Sequence, residues 1–397
     1  MSSQPEPTTR QQPAGATSPS EDGINRRAAH WREPADAGRP LAGGRVSAGA
    51  TRPKIAFVCS PAGQQWTGMA RMMFQSEDAF RKMLLRCDRE FARLGGTSVI
   101  DEIFSTNPRF DLPDPLVPII FANQVSIAAW LIDQGLEPDM VVGSSVGEFA
   151  AAVISGILTL SDGVRLAFEF GRLAQPLVGH GSMIAVDLSR EELRPFLCER
   201  YSSVAVASHS GPRSTVLAGD RSEMATLADE LKTQNVNCVL VPIPCAAHSP
   251  AMDPILEDLR HALKGLTPKP GHVPMISSVT GLPAAWQDID SNYFAKNARQ
   301  PVLLFEAIER TLTEGVDILV EVGANPVLLS ALQQTADALG MPVTVIGTMS
   351  RGEDDRVGLV NAAVELSRLT GGRADRRLRR RSERNGSLWP GRGDDGQ

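Results

Sequence analysis

A serine flanked by glycines, Gly143-Ser144-Ser145-Val146-Gly147-Glu148, lies between the apolar run Met140-Val141-Val142 and the helix-prone Phe149-Ala150-Ala151-Ala152-Val153-Ile154. Strand, Gly-x-Ser-x-Gly and helix in that order make a nucleophile elbow, a turn so sharp that the serine's neighbours must lack side chains. Ser145 Oγ is then thrust out at a helix start, where the Val146 N–H and the helix dipole can stabilise a developing oxyanion. This is equipment for covalent catalysis at a carbonyl carbon.

A serine hydroxyl is a poor nucleophile at neutral pH and needs a general base within hydrogen-bond reach. Six histidines are available: His30 falls in a low-complexity arm, and His180, His209, His261 and His272 have ordinary loop or helix contexts. His248 differs, because in Cys245-Ala246-Ala247-His248-Ser249-Pro250-Ala251-Met252-Asp253 small alanines leave room around the imidazole and a helix begins just after. On the residues alone, a histidine at a helix start serves structure more often than catalysis. The five cysteines (Cys59, Cys87, Cys198, Cys238, Cys245) form no close pair, which fits neither a disulfide framework nor a zinc site. Cys245 reads as a pocket lining rather than a nucleophile. No metal-ligand spacing and no Gly-x-x-x-x-Gly-Lys loop occurs, so the expected chemistry needs neither metal nor nucleotide.

These groups must be positioned by a large core. The 397 residues are 42% apolar and 22% charged, ordinary for a soluble globular protein. Residues 1–50, rich in Pro, Gly, Ala, Ser and Arg, predict a disordered N-terminal arm. Residues 371–397 predict a basic disordered tail with eight Arg against four acidic residues. The arm carries +1 and the tail +4, which leaves −11 for the body between them. The tail's Arg376-Arg377-Leu378-Arg379-Arg380-Arg381 has no interleaved aromatics and reads as solvated, so no nucleic-acid partner is expected. The apolar neighbourhood from Leu116 to Ile132 is interrupted by Asn123, Gln124 and Ser126 and reads as a buried helix rather than a membrane span. With no apolar leader and with Glu6, Glu21 and Asp22 near the start, a cytoplasmic location is expected; a monomer is expected as well.

Lys54-Ile55-Ala56-Phe57-Val58-Cys59 predicts a first buried strand, followed by helices over 67–74, 78–94 and 117–134 and then the strand that feeds the elbow. Alternating strands and helices predict an α/β fold with a parallel sheet. After Gly181 the texture becomes βαββαβ, ending at Cys238-Val239-Leu240-Val241-Pro242, the pattern of a ferredoxin-like insert over 182–243. The large domain, 51–181 and 244–370, resumes with a helix after His248, the strand 273–278, a helix over 301–313 and the strand 317–322.

Five motifs in order resemble those of the malonyl-CoA:acyl carrier protein transacylase family, which includes the acyltransferase domains of polyketide synthases. They are Ser60-Pro61-Ala62-Gly63-Gln64-Gln65-Trp66-Thr67-Gly68-Met69, Gly143 to Glu148, His248-Ser249-Pro250-Ala251-Met252, Asn297-Ala298-Arg299-Gln300-Pro301-Val302 and Glu321-Val322-Gly323-Ala324-Asn325-Pro326-Val327-Leu328. The resemblance spans about Lys54 to Leu369. It implies an α/β-hydrolase-like large domain with a ferredoxin-like insert, and a ping-pong transfer without bound cofactor. In it, Ser145 attacks a coenzyme A or phosphopantetheine thioester and His248 takes the proton. The backbone N–H groups of Ala62 and Val146 hold the oxyanion, and a main-chain carbonyl near Asn297 orients the histidine. An acyl carrier protein is the implied partner, with an acyl-CoA or acyl carrier as donor, and Arg299, Arg260 and Lys264 are candidates for docking it.

The departures from the family concern the acyl group. Counting from the elbow, the family's malonyl-binding arginine falls at Phe170, and without a guanidinium a buried carboxylate costs several kcal/mol, so an uncharged cargo is expected. Arg172, nearby on the same helix, is the residue that could restore a cation. Ser144 replaces a histidine, and Cys245-Ala246-Ala247-His248 replaces bulkier specificity motifs. The expected acyl pocket comprises Phe170, Ser144, Cys245, Ala247, Gln124 and Ser210, with Gln124 keeping the family's glutamine. The leading reading is a free-standing acyltransferase of polyketide or other secondary-metabolite biosynthesis. A malonyl transacylase, an editing thioesterase and a catalytically decayed carrier-binding scaffold are the alternatives.

Overall fold

The computed structural model describes residues 52–197 and 199–371. The expected arm, the expected tail from 372 onward and Cys198 lie outside the described residues. Along the chain run β1 (Ile55–Cys59), α1 (Arg71–Ser76), α2 (Asp78–Arg93), α3 (Val99–Phe104), α4 (Pro113–Asp133), β2 (Met140–Gly143), α5 (Gly147–Ile154) and α6 (Leu160–Ala174). Next come β3 (Ser182–Val186), α7 (Arg190–Leu193), β4 (Ala205–Gly211), β5 (Ser214–Gly219), α8 (Arg221–Thr233) and β6 (Cys238–Leu240). The remainder is α9 (Leu256–Ala262), β7 (Met275–Ile276), α10 (Ser291–Arg299), β8 (Val302–Leu303), α11 (Leu304–Thr313), β9 (Ile318–Val322), α12 (Leu329–Leu339), β10 (Thr344–Gly347) and α13 (Asp355–Leu369).

One sheet is parallel, in the order β10-β9-β1-β2-β7. Its central strand β1 is buried at every residue, which is why its sequence is continuously apolar rather than alternating. Leu319 of β9 and Val142 of β2 join Ile308 and Leu332 from α11 and α12 in one apolar cluster. Helix α4 is long and apolar enough to cross a membrane, with a mean hydropathy of 1.7, and 89% of that stretch is buried inside the protein. It packs against α2 and α6, as the interrupted apolar run predicts. It starts a turn earlier than Val117 because Pro113 and Pro115 fit the first turn, where N–H groups have no helical acceptor.

The second sheet runs β6-β3-β5-β4-β8 and is antiparallel apart from the β4–β8 pair. Ile184, Leu217, Leu227 and Leu231 form its own core beneath α8. One strand of this sheet comes from beyond 182–243: Val302–Leu303 pairs with Ser208 and His209, so the segment expected to open a helix at Pro301 first contributes a strand. Helix α7 stops at Leu193, with Pro195 two residues beyond. Mixed α/β layers with a parallel sheet and a ferredoxin-like second sheet agree with the expected fold class.

Candidate active site

The loop leaving β1 and the elbow leaving β2 start side by side, since Cys59 and Gly143 are register partners. Ser145 holds a left-handed backbone with φ 55°. The two glycines are required by contact: a Cβ on Gly143 would lie 2.3 Å from Glu148 Cα, and one on Gly147 would lie 2.2 Å from the Cys59 carbonyl oxygen. The turn therefore packs closely against the end of β1.

His248 comes from a different segment and also sits in the left-handed region, with φ 59°. Its Nε2 lies 2.7 Å from Ser145 Oγ. Its Nδ1 lies 3.1 Å from the Gln300 main-chain oxygen, and its backbone N–H donates to Ala298 O at 3.1 Å. A carbonyl can only accept, so Nδ1 carries the proton and Nε2 is left to accept from the serine. The Asn297 carbonyl, expected to orient the imidazole, acts on it together with the Gln300 carbonyl. The Asn297 side-chain amide also donates to Ser145 O at 3.3 Å, while the direct hydrogen bond of Nδ1 closes on Gln300 O, beyond the end of α10. The reason is that Nδ1 faces the extended residue at which the helix stops. Burial pushes the imidazole down to about 4, against the upward pull of the Gln300 and Asn297 carbonyls, so His248 is neutral at pH 7 and available as a base.

Two buried carboxyls brace the turns on either side. Glu148 accepts from Ser278 N at 2.6 Å, Ser278 Oγ at 2.9 Å and Tyr293 Oη at 2.5 Å. Glu321 accepts from Ser60 Oγ at 2.9 Å and from the N–H groups of Val327 and Leu328. Burial pushes both carboxyls up to about 7. Ser60 thus ties the first loop to β9. Gln64 adds a second tie, donating to Ser60 O and Pro61 O and accepting from Ala324 N at 2.7 Å. Ala62 lies in the turn of this braced loop, and Val146 is the N-cap residue of α5, whose N–H has no intrahelical acceptor.

The expected pocket residues divide. Ser144, Cys245, Ala247 and Phe170 are all buried, and Phe170 stands edge-on to Phe149 of α5 with ring centroids 5.5 Å apart. Gln124 is also buried, and its amide nitrogen donates to Ser60 O at 2.7 Å and to Val322 O, so it braces the first loop as well. Ser210 spends its hydroxyl on Ser208 at 2.9 Å. Burial pushes the Cys245 thiol up to about 11, which keeps it protonated and unreactive. Arg172 is no substitute cation in the pocket. Its guanidinium is half-exposed and paired with Glu169, and Arg165 turns to the carbonyls of Ala262 and Lys264. The basic candidates Arg299 and Arg260 are likewise engaged, with Asp253 and Glu257. A cleft of about 1440 Å³ lined by Trp66, Phe110, Leu240, Pro242 and Arg351 opens beside the first loop, and the serine–histidine pair is not in its wall.

Residues 56–373 match the Acyl transferase domain family. The chain belongs to that family. Among curated relatives, this acyltransferase is 34% identical over 324 residues to Polyketide synthase GfsA of Streptomyces halstedii, covering 79% of this chain and 4% of that protein. It is 32% identical over 323 residues to Erythronolide synthase EryA2 of Saccharopolyspora erythraea, covering 78% and 9%. It therefore spans a small part of the length of the relatives it matches. Among solved structures it is similar to a loading acyltransferase from the avermectin modular polyketide synthase (33% identity, TM-score 0.76, 79% of this chain and 99% of that one). It is also similar to the acyltransferase domain from module 8 of the salinomycin polyketide synthase (30%, TM-score 0.78, 83% and 79%). At 20% identity, MCAT from Streptococcus pneumoniae shares the fold, with a TM-score of 0.69. The protein is an acyltransferase of the polyketide synthase type.

Proposed function

We propose that this acyltransferase carries an uncharged acyl group on Ser145 and delivers it to the phosphopantetheine thiol of an acyl carrier protein. The observation that carries the reading is the 2.7 Å contact between Ser145 Oγ and a neutral His248 whose other nitrogen is tied to a carbonyl. His248 Nε2 takes the hydroxyl proton as Oγ attacks the thioester carbonyl carbon of a coenzyme A or carrier-bound donor. The negative charge on the carbonyl oxygen falls to the N–H groups of Val146 and Ala62. When the C–S bond breaks, the imidazolium returns its proton to the leaving thiolate, and the acyl group remains as a serine ester. The carrier thiol repeats the sequence in reverse, with His248 now deprotonating sulfur. The Gln300 carbonyl supports the imidazolium in both halves, which is the role an Asp plays in a triad.

The cargo follows from Phe170. A malonyl group brings a carboxylate that loses its hydration on entry, and here a buried phenyl ring stands where the resemblance places a guanidinium. A loading role like that of the avermectin relative suits such a cargo. The test is intact-mass analysis of the protein after incubation with acetyl-, propionyl- or longer acyl-CoA, followed by addition of holo carrier protein. The adduct should form on wild type, be absent from Ser145→Ala and move to the carrier without release of free acid. Free acid in place of acyl carrier would instead establish a thioesterase.

A further inference from the structure

Helix α10 touches both halves of the reactive pair, and it does so from one short stretch. On the nucleophile side, Tyr293 Oη meets Glu148 Oε2 at 2.5 Å, three residues past Ser145, and Phe294 lies edge-on to Phe149 at 5.8 Å. One turn later the Asn297 amide reaches Ser145 O. Tyr293 and Asn297 are four apart and so share a face of the helix, about 5–6 Å from each other. On the base side, the carbonyls of Ala298 and Gln300 hold the backbone N–H and Nδ1 of His248. The elbow and the histidine loop are thus both fastened to one rigid element. Sliding α10 along α5 would move His248 relative to Ser145.

The Tyr293–Glu148 contact is one of the ties against that slide, beside Asn297 to Ser145 O and Arg299 to Asp253. Tyr293 is buried, and its hydroxyl has a second partner in Ser277 Oγ at 2.6 Å, so its position is set from two sides. Glu148 is held in turn by Ser278 N and Oγ, both in the segment that follows β7. We infer that Tyr293 is a positioning residue for Ser145 acylation: its bond to Glu148 sets the register of α10 and thereby the separation of Ser145 Oγ and His248 Nε2. This rests on the serine-ester reading above. A displacement of about 1 Å in reacting groups costs up to about a hundredfold in rate, so a loosened register should be visible in the chemistry rather than in binding.

The test is Tyr293→Phe in the full chain, read as the rate of Ser145 acylation by an uncharged acyl-CoA under single-turnover conditions. The saturated rate should fall about tenfold while the half-saturating thioester concentration stays unchanged. Combined with Asn297→Ala, the loss should be less than the product of the two single losses, because both release the same helix. A purely structural hydroxyl would lower the melting temperature and leave the saturated rate alone, and that result overturns the proposal. So does full multiplicativity in the double variant. If Tyr293→Phe does not fold, Glu148→Gln keeps the shape and turns one of the two acceptor oxygens of the side chain into a donor. A loss of about threefold or more then supports the proposal, and an unchanged rate overturns it. Wild type that forms no acyl-enzyme defeats the underlying reading and this proposal together. A reactive wild type with an equally reactive Tyr293→Phe defeats the proposal alone.

Discussion

Ser145 and His248 are 103 positions apart in the chain, yet their side chains meet at 2.7 Å and both residues hold a left-handed backbone, with φ of 55° and 59°. Such conformations cost of order 1–3 kcal/mol each for residues with side chains, and they persist where the surroundings over-determine them. Here those surroundings are β1 beneath the elbow and α10 beneath the histidine loop.

The elbow's tolerance is correspondingly small. Gly147→Ala places a methyl 2.2 Å from the Cys59 carbonyl oxygen, in backbone that cannot turn aside. We expect a loss of roughly 3 kcal/mol or more, seen as a lowered urea midpoint, together with loss of Ser145 acylation. An alanine variant as stable and as active as wild type would show that the β1 loop is not packed against the turn.

The base predicts an unusual acid limb. With the imidazole pushed down to about 4, kcat/KM should stay level as pH falls from about 8 to about 5 and decline only near 4. A limb centred near the ordinary histidine value of 6.5 would contradict the burial argument. Stability carries both signs. An unfolded His248 takes up its proton between 6.5 and 4 before the folded one does, so acidification through that window destabilises the fold. Glu148 and Glu321 act oppositely: the unfolded carboxyls ionise near 4.5 and the folded ones near 7, so raising the pH through that window costs stability. Glu321→Gln should therefore lessen the decline in urea midpoint between about pH 5 and about pH 7, and an unchanged slope would contradict its raised value.

Much of this site is legible in the chain. The elbow can be read because its glycines are demanded by contacts within one strand–turn–helix unit, and β1 because a strand covered on both faces is apolar throughout. The orienting carbonyl could be placed only near Asn297. A main-chain oxygen has no residue signature, and Gln300 acquires the role because α10 ends there. The tie of the Gln124 amide to Ser60 O is not legible either, because residue identity does not reveal which way an amide points on an all-buried helix. Helix α10 itself is not legible in the sequence, since Ser291-Asn292-Tyr293-Phe294-Ala295-Lys296-Asn297-Ala298-Arg299 is short and polar, and its helicity is set by the Asp290 cap and by tertiary contacts. Glu148 carried the available signal for the Tyr293 network, as a carboxylate in an otherwise apolar helix start.

The first loop offers a further check. Ser60→Ala removes one of the donors to buried Glu321 and unties the loop that bears Ala62, while Gln64 and Gln124 still hold Ser60 O. A stability loss of about 1 kcal/mol is expected, with a larger proportional loss in saturated acylation rate than in apparent affinity. Equal effects on both would place Ser60 outside oxyanion support.

Phe170→Arg tests the pocket by exchanging its chemistry. A guanidinium beside Phe149 should depress acylation by uncharged thioesters about tenfold and give malonyl-CoA a measurable adduct, since a bidentate partner then meets the carboxylate. Unaltered preference would mean that residue 170 does not line the acyl group's path.

The central claim, an ester on Ser145 with a cargo lacking a carboxylate, is tested most directly by offering wild-type protein equal amounts of labelled malonyl-CoA and an uncharged acyl-CoA and reading the intact mass. A single adduct of the uncharged acyl mass, mapped to the Ser145 peptide and absent from Ser145→Ala, is the expected result. A malonyl adduct on Ser145 would contradict the cargo, and no adduct on Ser145 with any thioester would contradict the mechanism.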